Sequence, residues 1–236
     1  MKIVAILQAR LGSTRLPNKV LMPLAGAPMV QRIIERVKRA KLVHEVVLAV
    51  PICDVMLWDA IDLGRAQFYA YPGDEHDLVG RYLHCAAAFH ADIVVRIPCD
   101  NPCIDPLIID EAVDEYLSLP KIYVSTMYRQ VRDRVYVDGV GAEVLSYSRL
   151  QWLDQKTHGQ SSYREHPHLL FQDQRLIDGW EQYQRCANYN ETIRLDVNTQ
   201  ADYEFVSDIY DHCYPKNPDF GLAEILTYLD SKKVLA

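Results

Sequence analysis

The first apolar run of the chain, Ile3-Val4-Ala5-Ile6-Leu7, is continuous rather than alternating, the pattern of a strand buried on both faces. A polar loop follows, and Val30, Ile33, Ile34 and Val37 then recur at helical spacing. The same rhythm predicts a strand over Glu45–Val50, a helix near Val55–Leu63 and a strand over Gln67–Tyr71. Next come a helix presenting Leu78, Val79, Tyr82, Leu83 and Ala86, and a strand over Ile93–Ile97. Asp105-Pro106 reads as an N-cap with proline at the first helical position, opening a helix to about Leu117. A short strand is expected at Ile122–Thr126.

From about Tyr128 to Asn190 the alternation breaks, with an apolar run at Ala142–Leu145 and polar sequence on either side. This span is expected to be an insertion acting as a lid or dimerisation segment. The pattern resumes with an extended Ile193–Asn198, a helix from about Gln200 to His212 and another near Leu222–Leu229. Strands alternating with helices at this spacing imply an α/β domain with a mainly parallel sheet and helices on both faces. The 236 residues are read as one domain, 1–236, with the insertion at approximately 128–190.

Composition removes several classes of function. Lys and Arg number 25 against 32 Asp and Glu, a formal charge of −7, which is the wrong sign for holding nucleic acid through its phosphates. The first apolar run is far shorter than the ~20 residues of a membrane span, so a cytoplasmic protein without membrane contact is expected. The 6 cysteines form no C-x-x-C pair and read as reduced, largely buried thiols. His158, His166 and His168 fit no familiar zinc spacing.

Charge is unevenly distributed. Residues 1–40 carry Lys2, Arg10, Arg15, Lys19, Arg32, Arg36, Lys38 and Arg39 against Glu35 alone. Arg32, Arg36, Lys38 and Arg39 fall at helical spacing and read as a solvated helix face. Arg10, Arg15 and Lys19 instead lie in Gln8-Ala9-Arg10-Leu11-Gly12-Ser13-Thr14-Arg15-Leu16-Pro17-Asn18-Lys19, a loop without a local acid. Cations gathered on one loop point to an anionic ligand.

Open parallel sheets bind ligands at the carboxyl ends of their strands, so the residues just after each strand carry the chemistry. After the first strand, Gly12 lets backbone approach a ligand, and Ser13, Thr14, Arg15 and Lys19 offer donors for phosphate oxygens. The loop matches neither the Walker A nor the G-x-G-x-x-G pattern. After Ile97 comes Asp100, between Pro98 and Pro102. In Leu195-Asp196-Val197-Asn198, strand alternation places Asp196 and Asn198 on one face. A basic loop with nearby oxygen ligands is what a metal–triphosphate complex requires.

The stretch Gln8–Leu21, continued by Leu24-Ala25-Gly26-Ala27-Pro28-Met29, closely resembles the start of the acylneuraminate cytidylyltransferase-like family, especially its spore-coat polysaccharide SpsF-type branch and the related CMP-Kdo synthetases. The likeness continues through Gly73–Tyr82, Val95–Pro106, Arg164-Glu165-His166 and Arg194–Tyr203, covering most of the chain in order. The resemblance implies a Rossmann-like nucleotide-diphospho-sugar transferase fold of the GT-A-like kind. It also implies an enzyme that transfers CMP from CTP to a small acidic acceptor, a sugar acid or phosphonate, releasing pyrophosphate in glycan biosynthesis. Carried over by position, Arg10, Gly12, Ser13, Arg15, Lys19 and Asp100 would bind the nucleotide. Lys19, Arg15 and Arg10 would be catalytic, and Asp100, Asp196 and Asn198 would hold Mg²⁺. A homodimer is implied as well.

The sequence departs from its relatives at Asn198, where they commonly carry Asp, so the metal set has one negative charge fewer. Arg129, Arg132, Arg134 and Arg164 are candidates for the acceptor's acid group. Two alternatives stay open at this level: a nucleotidyltransferase of other base or acceptor specificity, and a catalytically inactive nucleotide-binding or scaffold protein.

Overall fold

The computed structural model describes residues 1–118, 124–125, 137–167 and 193–232. Its centre is a six-stranded sheet. The chain runs through β1 (Ile3–Gln8), a small hairpin of β2 (Pro23–Leu24) and β3 (Ala27–Pro28), and α1 (Met29–Val37). It continues through β4 (Glu45–Pro51), β5 (Gln67–Tyr71), α2 (Leu78–Ala88), β6 (Ile93–Pro98) and α3 (Pro106–Ser118). Then come β7 (Val124–Ser125), β8 (Glu143–Ser146), α4 (Tyr147–Lys156), α5 (Ser161–Glu165), α6 (Gln200–Cys213) and α7 (Leu222–Ser231).

Strand order is β5-β4-β1-β6-β8-β7. The ladders joining β5, β4, β1 and β6 are parallel, whereas β8 runs antiparallel to both β6 and β7. β1 is buried on both faces, as its unbroken apolar run requires. Ile3, Ala5 and Leu7 pack in one core with α1, α3 and α6, while Val4 and Ile6 pack in another with α2 and α4. This is a doubly covered, Rossmann-like sheet. The chain leaves β1 in one direction through β4 and β5, then returns to place β6 on the other side. The carboxyl ends of β1 and β6 therefore flank the switch point where such sheets bind ligands.

Four expectations need correction. The helix near Val55–Leu63 is a 3₁₀ helix over Ile52–Ala60, tied down because the Asp54 carboxylate accepts the Leu11 backbone N–H at 2.9 Å. Ile193–Asn198 is extended but, among the described residues, makes an isolated parallel bridge between Arg194 and Asp138 rather than a strand of the sheet. Its N–H groups at Leu195 and Val197 go instead to the carbonyls of Asp138 (2.9 Å) and Asp100 (2.7 Å). Within the span expected as an insertion, β8 pairs with β6 and α4 covers the sheet beside α2. The antiparallel return of β8 is what interrupts the rhythm of the sequence. The rest of that span falls largely outside the described residues, with His168, Arg129, Arg132 and Arg134 among them.

The fourth correction concerns α1. Arg32 and Arg36 are buried, 8% and 3% exposed, rather than solvated. Arg32 donates to the Leu24 carbonyl at 3.0 Å and to Glu35 and Tyr214, and Arg36 donates to the Ile104 carbonyl at 2.6 Å. Each guanidinium also lies over an aromatic ring, Arg32 on Tyr214 and Arg36 on Phe220. The long side chains bury their stems and satisfy part of their donors on distant backbone, which periodicity in the sequence does not reveal.

Candidate active site

The loop after β1 is built by its backbone. Asn18 adopts a left-handed conformation and donates its N–H to the Leu11 carbonyl at 3.3 Å, closing the loop on itself. Gly12 has an ordinary φ, and a Cβ there would touch only the Glu75 carboxylate at 3.4 Å. Glycine is thus not required by conformation at this position, and Gly12 does not line the cavity that the loop borders.

That cavity, of about 420 Å³, is lined by Arg10, Ser13, Thr14, Arg15 and Lys19 from the loop, Asp100 from the end of β6, and Asp196 and Asn198 from the extended segment. Three stretches far apart in sequence converge there as expected. Lys19 is their junction: its ammonium donates to the Val197 carbonyl at 2.6 Å, to Asp100 Oδ2 at 3.1 Å and to Asn198 Oδ1 at 3.4 Å. Arg15 also donates to Asn198 Oδ1, at 2.8 Å. The Asn198 amide turns its oxygen to the two cations and its nitrogen to the Asp196 carboxylate. An amide can do both, accepting on one side and donating on the other, whereas an ionised carboxylate at this position could only accept.

Sequence reasoning missed several lining groups. Asp138 arrives on the turn before β8, beside Gly139, whose φ of +91° and whose distance of 2.5 Å from a notional Cβ to the Leu195 carbonyl carbon leave room for no side chain. Burial, then the Asp196 charge, pushes the Asp138 carboxyl up to about 6 against the pull of Arg194. Arg194 grips Asp196 through two hydrogen bonds, of 3.2 and 2.9 Å. Arg96 lines the cavity from within β6 and is paired with the buried Glu143 of β8. Only the Asp-Gly turn signal at 138–139 could have singled out any of these beforehand.

The loop cations do have acidic partners, though distant in sequence. Arg10 pairs with Glu165 of α5 at 3.1 Å and meets His76 at 2.8 Å. Burial raises the Glu165 carboxyl, but hydrogen bonds from His76 and Arg10 outweigh it and hold the group below its ordinary value. Arg164, expected as a candidate for the acceptor's acid group, is instead committed. It forks onto Asp77 at 2.9 and 2.8 Å and pairs with Asp154 at 2.9 Å, anchoring α5 to the N-cap of α2. Cys99 and Cys103 are buried, which pushes both thiols up, Cys103 to about 12, as expected of inert apolar side chains. Among the described residues no cluster of His, Cys, Asp and Glu forms a metal site by itself. No helix among them is long and apolar enough to cross a membrane.

A phosphate-sized basic loop, a carboxylate set and a switch-point location coincide with a family model described as cytidylyltransferase, which matches residues 4–225. The chain belongs to the cytidylyltransferase family. Members of this family are CTP-dependent nucleotidyltransferases. The chain is 26% identical to the spore coat polysaccharide biosynthesis protein SpsF of Bacillus subtilis, over 97% of this chain and 94% of that one. It is 36% identical to a 3-deoxy-manno-octulosonate cytidylyltransferase of Trichlorobacter lovleyi over 56% of this chain, a stretch covering 52% of that protein. Among solved structures, a cytidylyltransferase from Leptospira borgpetersenii shares the fold with a TM-score of 0.82 at 24% identity, covering 99% of this chain and 95% of that one. The cytidylyltransferase assignment settles the nucleotide half of the reaction and leaves the acceptor to be argued from the site.

Proposed function

We propose that this cytidylyltransferase transfers CMP from CTP to a small acidic sugar acceptor in glycan biosynthesis, with Mg²⁺ as cofactor. The observation that carries the reading is the convergence of Arg10, Ser13, Arg15 and Lys19 with Asp100, Asp196 and Asn198 around one cavity. The acceptor chemistry is supported by the kind of relatives the chain has, a sugar-acid cytidylyltransferase and a polysaccharide biosynthesis protein.

In the proposed step the acceptor hydroxyl oxygen forms a bond to the α-phosphorus of CTP and the α–β bridging P–O bond breaks. Pyrophosphate departs with its electrons, and the hydroxyl proton is lost to water. Such a reaction depends on positioning and on neutralising charge. Arg10, Ser13 and Arg15 would bind the triphosphate, and Lys19, held by the Val197 carbonyl, would meet charge growing on the α-phosphate. Arg10 must exchange its partner Glu165 for phosphate, so nucleotide entry is coupled to the placing of α5.

The donor set fits a hard divalent cation. Asp100, Asp138 and Asp196 bring carboxylate oxygens to one cavity, where burial first, and then the charges of Asp196 and Asp100, raise the Asp138 carboxyl. Asp100 and Asp196, with Asn198, would hold Mg²⁺, which when bound supplies charge neutralisation to the phosphates. Action as a cytoplasmic homodimer belongs to the same reading and is supported by the family resemblance of the motifs.

The test is pyrophosphate release by the purified protein with each of CTP, ATP, GTP and UTP against a panel of sugar acids, with and without Mg²⁺. Release with CTP and one acid acceptor, dependent on Mg²⁺, is expected. Turnover with neutral sugars alone would overturn the acceptor assignment.

A further inference from the structure

Leu195 and Val197 are buried in the core, and Arg194, Asp196 and Asn198, which alternate with them, all line the active-site cavity. In an extended segment these three side chains form a stripe whose ends lie about 13 Å apart, four residues at ~3.3 Å each. The two ends meet different groups. Asn198 accepts from Arg15 and Lys19, the cations of the phosphate loop. Arg194 stands on the other side of Asp196, with Asp138 Oδ2 3.8 Å from its Nε. In-line displacement brings the attacking hydroxyl to the α-phosphorus opposite the departing pyrophosphate. With the triphosphate on the loop cations at the Asn198 end, that approach comes from the Arg194 end.

An acid acceptor needs a cation there that the phosphates do not use. Of the arginines and lysines among the described residues that line the cavity, Arg10, Arg15 and Lys19 belong to the loop. Arg96 is 7% exposed and paired with the buried Glu143. The Arg194 side chain, by contrast, is 61% exposed. Its Nε and Nη2 fork side-on onto Asp196 at 3.2 and 2.9 Å. A guanidinium has five N–H donors, so Nη1 and the second N–H of Nη2 form an end-on edge that can take another carboxylate while Asp196 stays held. Asp138 and Asp196 flank this edge, and a divalent cation sharing their charge lessens the repulsion an incoming acid meets.

We propose that Arg194 is the specificity residue for the acceptor, its end-on edge gripping the carboxylate of the sugar acid and aiming the neighbouring hydroxyl at the α-phosphorus. The assignment rests on the transferase reading above and adds to it the group that distinguishes an acid from a neutral sugar. A planar fork also sets orientation, which a lysine at the same place does not.

The test measures binding without turnover. The full chain is loaded with Mg²⁺ and α,β-methylene-CTP and titrated by ligand-observed NMR with 3-deoxy-manno-octulosonate, N-acetylneuraminate and the C1 amide of each. For the acid that the wild type binds, Kd should rise at least tenfold in Arg194→Met and by a smaller factor in Arg194→Lys. The amide should bind equally to all three proteins, and the Kd of the nucleotide analogue should not change. Were Arg194 only a support for Asp196, the substitution would weaken the analogue with Mg²⁺, or the acid and the amide alike, and either result would overturn the proposal, as would an unchanged Kd for the acid. Failure of the transferase reading looks different: a wild-type protein that binds neither acid and releases no pyrophosphate from CTP with either fails before any variant is compared, and the Arg194 assignment falls with it.

Discussion

Val197 donates its backbone N–H to the Asp100 carbonyl at 2.7 Å, stitching the extended segment to the turn after β6. A second stitch, from the Leu195 N–H to the Asp138 carbonyl at 2.9 Å, fixes the same segment on its other side. Asp100, Asp138 and Asp196 therefore reach one cavity through main-chain bonds, and the side chains at these positions are free to vary in charge without loss of the frame.

Gly139 is where this frame is most sensitive. Its φ of +91° disfavours any side chain, and a Cβ would stand 2.5 Å from the Leu195 carbonyl carbon and 2.6 Å from the Asp196 nitrogen. Gly139→Ala combines backbone strain with overpacking and should cost about 2–4 kcal/mol. For a chain of this size that lowers Tm by roughly 5–15 °C. Calorimetry on the purified variant checks it, and an unchanged Tm would mean that the two segments are less tightly joined than described.

Lys19→Ala removes the cation that joins Val197, Asp100 and Asn198. By comparison with other groups aimed at developing charge, the loss should be about 3–4 kcal/mol of transition-state stabilisation, a fall of ~10²–10³-fold in kcat. Circular dichroism should show a folded protein, since the main-chain stitches remain. Normal turnover in a folded variant would remove Lys19 from the mechanism.

The strands and helices of the main sheet were legible because burial on both faces writes continuous apolar runs for β1 and β4 and a run broken only by Arg96 for β6, and because the helices between them keep their period. The basic loop was legible for a related reason: Arg10, Arg15 and Lys19 have no local acid, so their purpose had to lie elsewhere. Glu165, Asp100 and Asn198 meet these cations from remote parts of the chain, and such pairings leave no trace in local pattern. Burial of Arg32 and Arg36 was illegible for the same cause, because their acceptors at Leu24 and Ile104 are backbone carbonyls and a carbonyl has no residue identity. Asp138 went unnoticed because an Asp-Gly pair is ordinary turn chemistry until the fold sets it beside Asp196.

Asn198 carries one charge fewer than the Asp that the family resemblance implies at this position, and its neighbours indicate what that changes. Its oxygen accepts from Arg15 at 2.8 Å and Lys19 at 3.4 Å while its nitrogen donates to Asp196. Asn198→Asp would strengthen the first two bonds and replace the third with repulsion between carboxylates, which a divalent cation relieves. The half-maximal Mg²⁺ concentration for pyrophosphate release should fall by roughly tenfold, about 1.4 kcal/mol of added affinity. A magnesium titration of initial rates in both proteins decides it; an unchanged or higher requirement would show that position 198 does not face the metal.

The carboxyl of Asp138 gives the site a pH signature. Burial and the Asp196 charge raise it to about 6 in the folded protein, from an ordinary 3.8. Between those values the folded state binds more protons than the unfolded one, so this group's contribution to stability is fully present below the lower value and is lost as pH rises through about 6. Asp138→Asn removes the titration while keeping the shape. In metal-free buffer the Tm of the variant relative to wild type should therefore climb as pH goes from about 4 to about 6 and level off above, because only the wild type then carries the ionised, crowded carboxylate. Adding Mg²⁺ at pH 7.5 should raise the wild-type Tm more than that of the variant, since the cation offsets repulsion that only the wild type retains. Parallel Tm profiles for the two proteins across this range would show that Asp138 titrates as an ordinary carboxylate and feels neither Asp196 nor the bound cation.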